Sequence, residues 1–349
     1  MRYGKQLGIA ITYVMMAVLI LACGSTGSNQ ASGSNPAPTP PPASTPTSDS
    51  AASGTKETTA APQGNRIIKH DLGETTIQGT PQRIVVLELG FIDALLDVGL
   101  KPLGVADDNK PNLIVEDALK KIEGYTAVGM RAQPSLEKIK VLNPDLIIAD
   151  TDRHKNVYAE LSKIAPTLSL KNLNANYQET LDAAATIGIA VGKKSEMDKV
   201  LETHKAKLKA LQSKAAGIKK SVLLIGNTDT EMTVRHAEFF SSQLLSTIGF
   251  NYLLNNNSKF GTVDRNVKMT IEQLLELDPD IVILMSGDID KKDKDGNRPV
   301  HKDPLWQELK AVKTKQMFDV DRYAWSLRRS VQGANVMLDQ TEKEILKLK

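Results

Sequence analysis

Two stretches of this chain spell the same short unit 135 positions apart (Glu137 and Glu272 are equivalent), and that duplication narrows the fold more than any bulk property. Pro134-Ser135-Leu136-Glu137-Lys138-Ile139 aligns with Met269-Thr270-Ile271-Glu272-Gln273-Leu274, and Leu142 to Ile148 aligns with Leu277 to Ile283. Each copy reads as a short helix, a Pro-bearing turn that cannot continue it, and a buried strand such as Leu146-Ile147-Ile148-Ala149. Repeat solenoids have periods of roughly 20–50 residues, so one duplication at this distance predicts two similar lobes instead.

The chain of 349 residues has room for a leader and two modest lobes. Its 44 basic and 41 acidic residues leave +3, which supplies no field for nucleic acid, and the single cysteine, Cys23, excludes an internal disulfide framework and a cysteine-rich metal site. Residues 1–22 read as a secretory signal: Arg2 and Lys5 precede an uncharged apolar run from Leu7 to Leu21. Ile20-Leu21-Ala22-Cys23 resembles a lipobox, in which the cysteine is lipidated; the alternative is an uncleaved anchor, for which the run is short. Residues 23–65 are rich in Ser, Thr, Pro, Ala and Gly and bury too little to offset ordering entropy, so they are expected to form a tether.

From Arg66 the texture changes to alternating strand and helix patterns, which predicts α/β lobes with mainly parallel sheets over 66–192 and 218–349. Strands are expected at Ile84–Leu87, Pro102–Ala106, Asp145–Ala149 and Thr167–Leu170, then at Ser221–Gly226, Glu231–Val234 and Asp280–Met285, and Met317–Val320 leads into a C-terminal helix from about Ser330. Between the lobes, residues 193–217 carry Met197, Val200, Leu201, His204, Leu208 and Leu211 at helical steps. About 20 residues of helix span roughly 30 Å, enough to join two lobes; an ordinary surface helix is the alternative. His204 lies on the apolar stripe and reads as a packed core histidine. Asp288, Asp290, Asp293 and Asp295 do not fit a calcium loop, because lysines intrude and no distal Glu falls at the right offset.

No nucleophile elbow, phosphate loop or zinc motif is present, and His70, His154, His204, His236 and His301 are scattered, so neither an enzyme nor a protein-held metal is expected. What the chain does place suggestively is arginine. Arg131, Arg153, Arg235, Arg265, Arg322, Arg328 and Arg329 fall in loops or at strand ends, and ligands of open α/β sheets sit beyond the carboxyl ends of strands. Guanidinium forks hold carboxylates in bidentate fashion, so several converging arginines suit a compact polyanion.

Lipobox, tether, two lobes and one connecting helix resemble the helical-backbone substrate-binding lipoproteins of bacterial metal-chelate ABC importers. Gly104 to Asn109, Gly129 to Glu137, Ile147 to His154, Asp303-Pro304-Leu305-Trp306 and the Trp325 to Arg329 spacing are most similar to iron(III)-dicitrate binding proteins. The resemblance implies a ligand cleft between lobes receiving ferric citrate, with Arg131, Arg153, His154, Arg235, Trp325 and Arg329 there, and Tyr158 and Arg328 as further candidates. It implies that only one of Arg328 and Arg329 faces the ligand, and that Trp306 is structural. It also implies docking of Glu137 and Glu272 on arginines of a permease served by its ATPase, palmitoylation of Cys23, a monomer at the extracytoplasmic membrane face, and no cofactor. A hydroxamate or catecholate siderophore or haem is the alternative ligand; a sensor lipoprotein or an enzyme is the alternative class.

Overall fold

A computed structural model describes residues 64–227, 232–254, 266–287, 293–295 and 298–347. The leader, Cys23, nearly all of the tether, Arg265, Asp288 and Asp290 lie outside the described residues.

Short apolar runs flanked by helices form the N-terminal lobe, a parallel sheet in the order Thr126–Ala127, Gly104–Val105, Ile84–Val86, Leu146–Asp150, Thr167–Leu170. Successive side chains point to opposite faces and both faces are covered. Ile84, Val86, Leu146 and Ile148 enter the main core, while Val85, Leu87, Ile147 and Ala149 enter a second cluster closed by Ile139 and Leu161. Strand order reverses between Ile84–Val86 and Leu146–Asp150, so the loops leaving their carboxyl ends part to opposite sides and open a crevice. An antiparallel hairpin, Arg66–His70 with Gly73–Ile77, was not anticipated; Thr75 ties it to the edge strand by donating to the Thr167 carbonyl at 2.8 Å.

The C-terminal lobe is mixed. Ser221–Asn227 pairs in parallel with Ile281–Ser286, and that strand with Met317–Asp321. On its other side Ser221–Asn227 meets Asn251–Tyr252 in parallel and Met232–Arg235 antiparallel, and the latter pairs antiparallel with Asn266–Met269. Four residues, 228–231, separate Asn227 from Met232, far short of the dozen or so that a parallel crossover needs.

The sequence repeat has a structural cause. Ser135 caps helix Leu136–Val141 and Thr270 caps helix Ile271–Leu277, each accepting from a backbone N–H three residues on at 3.3 Å. Asn143 (φ 46°) and Asp278 (φ 38°) then turn the chain in the left-handed region, which Asn and Asp tolerate, before the proline. Asp145 accepts from the backbone N–H groups of Gln82 and Arg83 at 2.8 and 2.9 Å, and Asp280 accepts from that of Ser221 at 2.8 Å. Each unit therefore pins the start of the first strand of its own lobe's main sheet.

Both lobes lie in one compact unit, Thr58–Lys349. Helix Tyr177–Ala190 begins against the C-terminal lobe, where Gln243 accepts from the Tyr177 N–H at 2.8 Å, and ends against the N-terminal hairpin, where Arg66 donates to the Ala190 carbonyl at 3.0 Å. The 21-residue helix Lys194–Lys214 then returns to the C-terminal lobe, where Gln212 donates to the Thr247 carbonyl at 2.7 Å. The long helix thus carries the chain across, with a second helix, absent from the sequence reading, beside it. His204 is buried on this stripe. The Asn335 amide oxygen can only accept, so Nδ1 (2.7 Å) carries the proton and Nε2 accepts from the Tyr177 hydroxyl at 2.6 Å. Burial holds its pKa below the ordinary value. Helix Val331–Gln340, capped by Ser330, packs on both the long helix and helix Gly90–Leu96.

Candidate functional site

The crevice predicted by the strand order is built on one buried carboxylate. Asp150, at the end of its strand, accepts from the backbone N–H groups of Arg153 (2.8 Å), Asn172 (2.8 Å) and Leu173 (2.7 Å), fixing the loops that follow two neighbouring strands. Burial raises its pKa and those three donors oppose the rise. Arg153 is thereby aimed at Glu88, which accepts from its Nε.

Arg131 sits in the tight turn between Gly129–Met130 and Gln133–Pro134. Asp108 holds it three times, accepting from the backbone N–H at 2.7 Å, from Nε at 3.1 Å and from Nη2 at 2.6 Å. His154 holds it from behind: Nδ1 accepts from the Asp150 N–H at 2.8 Å, so Nε2 carries the proton and donates to the Arg131 carbonyl at 2.7 Å. Burial lowers the His154 pKa, favouring this neutral form.

The facing wall comes from the C-terminal lobe. Arg235 crosses Gly226, where a Cβ would lie 3.3–3.4 Å from the guanidinium, and stands over the Phe239 ring at 4.7 Å. It donates to Ser326 Oγ at 2.9 Å and to Asn266. Arg329 donates from Nε to the Asn172 carbonyl at 2.5 Å and from Nη1 to the Ser326 carbonyl. Arg329 reaches this position because Gly90 lets the backbone in; a Cβ on Gly90 would stand 2.2 Å from the Arg329 oxygen.

Between the walls lies a cavity of about 280 Å³ lined by Arg131, Arg153, Arg235, Arg322 and Arg329, with Leu173, Phe239, Leu327, Thr233, Asn266, Ser326 and Gly226. Among the described residues five guanidiniums and no carboxylate form the lining, and Glu88 and Asp108 pair with Arg131 and Arg153 from behind it. Such a site holds a compact anion with several oxygen acceptors.

The structure brings Arg131, Arg153, Arg235 and Arg329 together and adds Arg322, which belongs to the arginine survey but not to the predicted cleft. The other predicted residues stand elsewhere. His154 is a buried support of Arg131, one layer behind the lining. Trp325 is fully buried, donates its indole N–H to Gln340 and is core. Tyr158 lies beneath the N-terminal hairpin, its hydroxyl 3.2 Å from His70 Nε2, outside the cavity. Arg328 turns away and grips Asp93 (2.7 and 2.9 Å) and Asp117 (2.9 and 3.1 Å) of the opposite lobe. Glu137 and Glu272 are exposed in the first turns of the two repeated helices. The hydroxyl of Thr270 lowers the Glu272 pKa. Trp306 is buried and stacked on His301 at 5.3 Å. Sequence reading missed Glu88, Asp150 and Asn172; a lone acid in the apolar run Ile84 to Leu89, at the end of a strand, was the signal available for Glu88.

The model of the periplasmic binding protein family matches residues 84–324. YhfQ of Bacillus subtilis, a candidate ABC transporter substrate-binding lipoprotein, is 49% identical over 98% of this chain and 98% of its own. The Fe(3+)-citrate-binding protein YfmC of Bacillus subtilis is 34% identical over 99% of this chain and 98% of its own. The crystal structure of Staphylococcus aureus SirA complexed with staphyloferrin B superposes with a TM-score of 0.70 at 25% identity, covering 80% of this chain and 97% of SirA.

Proposed function

This chain belongs to the periplasmic binding protein family and is a binding protein, not an enzyme, and we propose that it captures ferric citrate for an ABC importer. In this reading Cys23 carries the lipid that anchors it outside the cytoplasmic membrane, and Glu137 and Glu272, at equivalent helix starts on the two lobes, meet the permease that its ATPase drives. The observation that carries the proposal is the convergence of five arginines from both lobes on one cavity, with no carboxylate in its wall among the described residues. Citrate already surrounds ferric iron with hard oxygen donors, so the protein supplies no metal ligand and only orients the carboxylates that remain. Similarity to the ferric citrate binder YfmC supports the ligand class. Haem fits less well: among the described residues Leu173, Phe239 and Leu327 are the large apolar side chains of the lining, and they offer no axial ligand.

Calorimetric titration of the full-length chain in detergent tests this. Ferric citrate is expected to bind saturably below micromolar concentration, ahead of iron-free citrate, a hydroxamate chelate, a catecholate chelate and haemin. Tight binding of one of the others with ferric citrate inert overturns the ligand and leaves the transport class standing.

A further inference from the structure

Glu88 is the side chain that three of the cavity's arginines share. It follows strand Ile84–Val86, is fully buried, and contributes no surface to the cavity. Its Oε1 accepts from Arg153, whereas its Oε2 lies 3.7 Å from Arg131 Nη1 and 3.7 Å from Arg329 Nη2. Those separations are ion-pair distances beyond hydrogen-bond reach, and among the described residues Oε2 has no hydrogen-bond partner. Asp108, a second carboxylate paired with Arg131, is arranged differently: it bonds Arg131 directly and is partly exposed.

A carboxylate removed from water is retained only among cations, and clustered guanidiniums are held together by an anion between them. Glu88 meets both conditions, yet its second oxygen stays outside hydrogen-bond range. An entering ligand carboxylate competes for the same Arg131 and Arg329 nitrogens, and feels the charge of the buried Glu88 behind them. We infer that Glu88 is a positioning residue that also limits affinity: it holds the arginine fan in place and subtracts one charge from the cavity, so that an anionic cargo is held firmly but released. The inference rests on the reading of the cavity as a site for an anionic ferric chelate.

The test compares ferric citrate binding by the full-length wild type, Glu88→Gln and Asp108→Asn. Unit charges several Å apart at an effective dielectric of about 20 interact strongly enough that Glu88→Gln is expected to bind roughly tenfold tighter, with slower dissociation in stopped flow. Asp108→Asn, which unfastens one arginine, is expected to bind no tighter. A Glu88→Gln affinity equal to or below wild type, or an equal gain in Asp108→Asn, overturns the inference. If Glu88→Gln alone does not fold, the same gain is read between Arg153→Gln and Arg153→Gln/Glu88→Gln, where the hydrogen-bonded pair is neutral. Failure of the wild type to bind ferric citrate sinks the functional reading separately. Even then, sulfate should raise the melting midpoint of Glu88→Gln more steeply than that of wild type, and equal slopes overturn the role of Glu88.

Discussion

Adjacent arginines do different work here. Arg329 is oriented by the Asn172 and Ser326 carbonyls and lines the cavity, while Arg328 is spent on Asp93 and Asp117. Hydrogen bonds to charged groups contribute about 1.5–3 kcal/mol each, so Arg153→Ala should weaken ferric citrate binding by roughly 10- to 100-fold in calorimetry. Arg328→Ala should instead leave Asp93 buried without its cation and lower unfolding stability by about 3–5 kcal/mol, with the cavity lining intact. A large affinity loss in Arg328→Ala with an unchanged melting midpoint would put that residue in the site. At this scale the sequence was half informative. Residue type and loop position picked out the arginines, but which of two neighbours faces inward depends on the turn at 328–330, which no local pattern encodes. Trp325 and Tyr158 lie outside the cavity lining for the same reason: a helix or strand assignment does not say which side of the lobe a ring enters.

Among the elements, helix Gly90–Leu96 decides how the lobes meet. Its start admits Arg329, its Asp93 accepts from Arg328 at 2.7 and 2.9 Å and from Ser330 at 2.5 Å, and its C-cap Asp97 accepts from Gln332 at 2.6 Å. Burial pushes the Asp97 carboxyl up from 3.8 to about 6, against the opposing Gln332 bond. The folded chain therefore holds this proton more firmly than the unfolded one. Stability from Asp97 is fully present below its unfolded value and is lost as pH rises through about 6. Asp97→Asn keeps the acceptor for Gln332 and removes the titration. It should be more stable than wild type at pH 7 in urea unfolding, with the advantage fading toward pH 4 (about the unfolded value); parallel stability–pH curves would contradict this. Periodicity located the long helix Lys194–Lys214, whose apolar stripe is narrow, and Gly249 marked the end of helix Phe240–Ile248. The N-terminal hairpin and helix Tyr177–Ala190 escaped because one is short and the other is apolar on more than one face, being packed by both lobes and the long helix.

Over the whole molecule, one contiguous core runs from the N-terminal sheet through the two connecting helices into the C-terminal sheet. Two lobes so joined, and clamped by Arg328, present their equivalent helix starts at a fixed spacing. Glu137→Ala/Glu272→Ala should therefore bind ferric citrate as wild type does but fail to support iron-citrate uptake in cells; undiminished uptake would remove the docking role. The duplication was legible because its Pro and Asp positions are backbone requirements repeated in each lobe. The cavity was not, because it forms only where loops distant in sequence converge. Its occupant is the central claim, and iron supplies its own signal. Crystals soaked in ferric citrate and measured across the iron absorption edge should show anomalous density between Arg131, Arg153, Arg235, Arg322 and Arg329. Iron found only elsewhere on the molecule, with that cavity empty, would contradict the account.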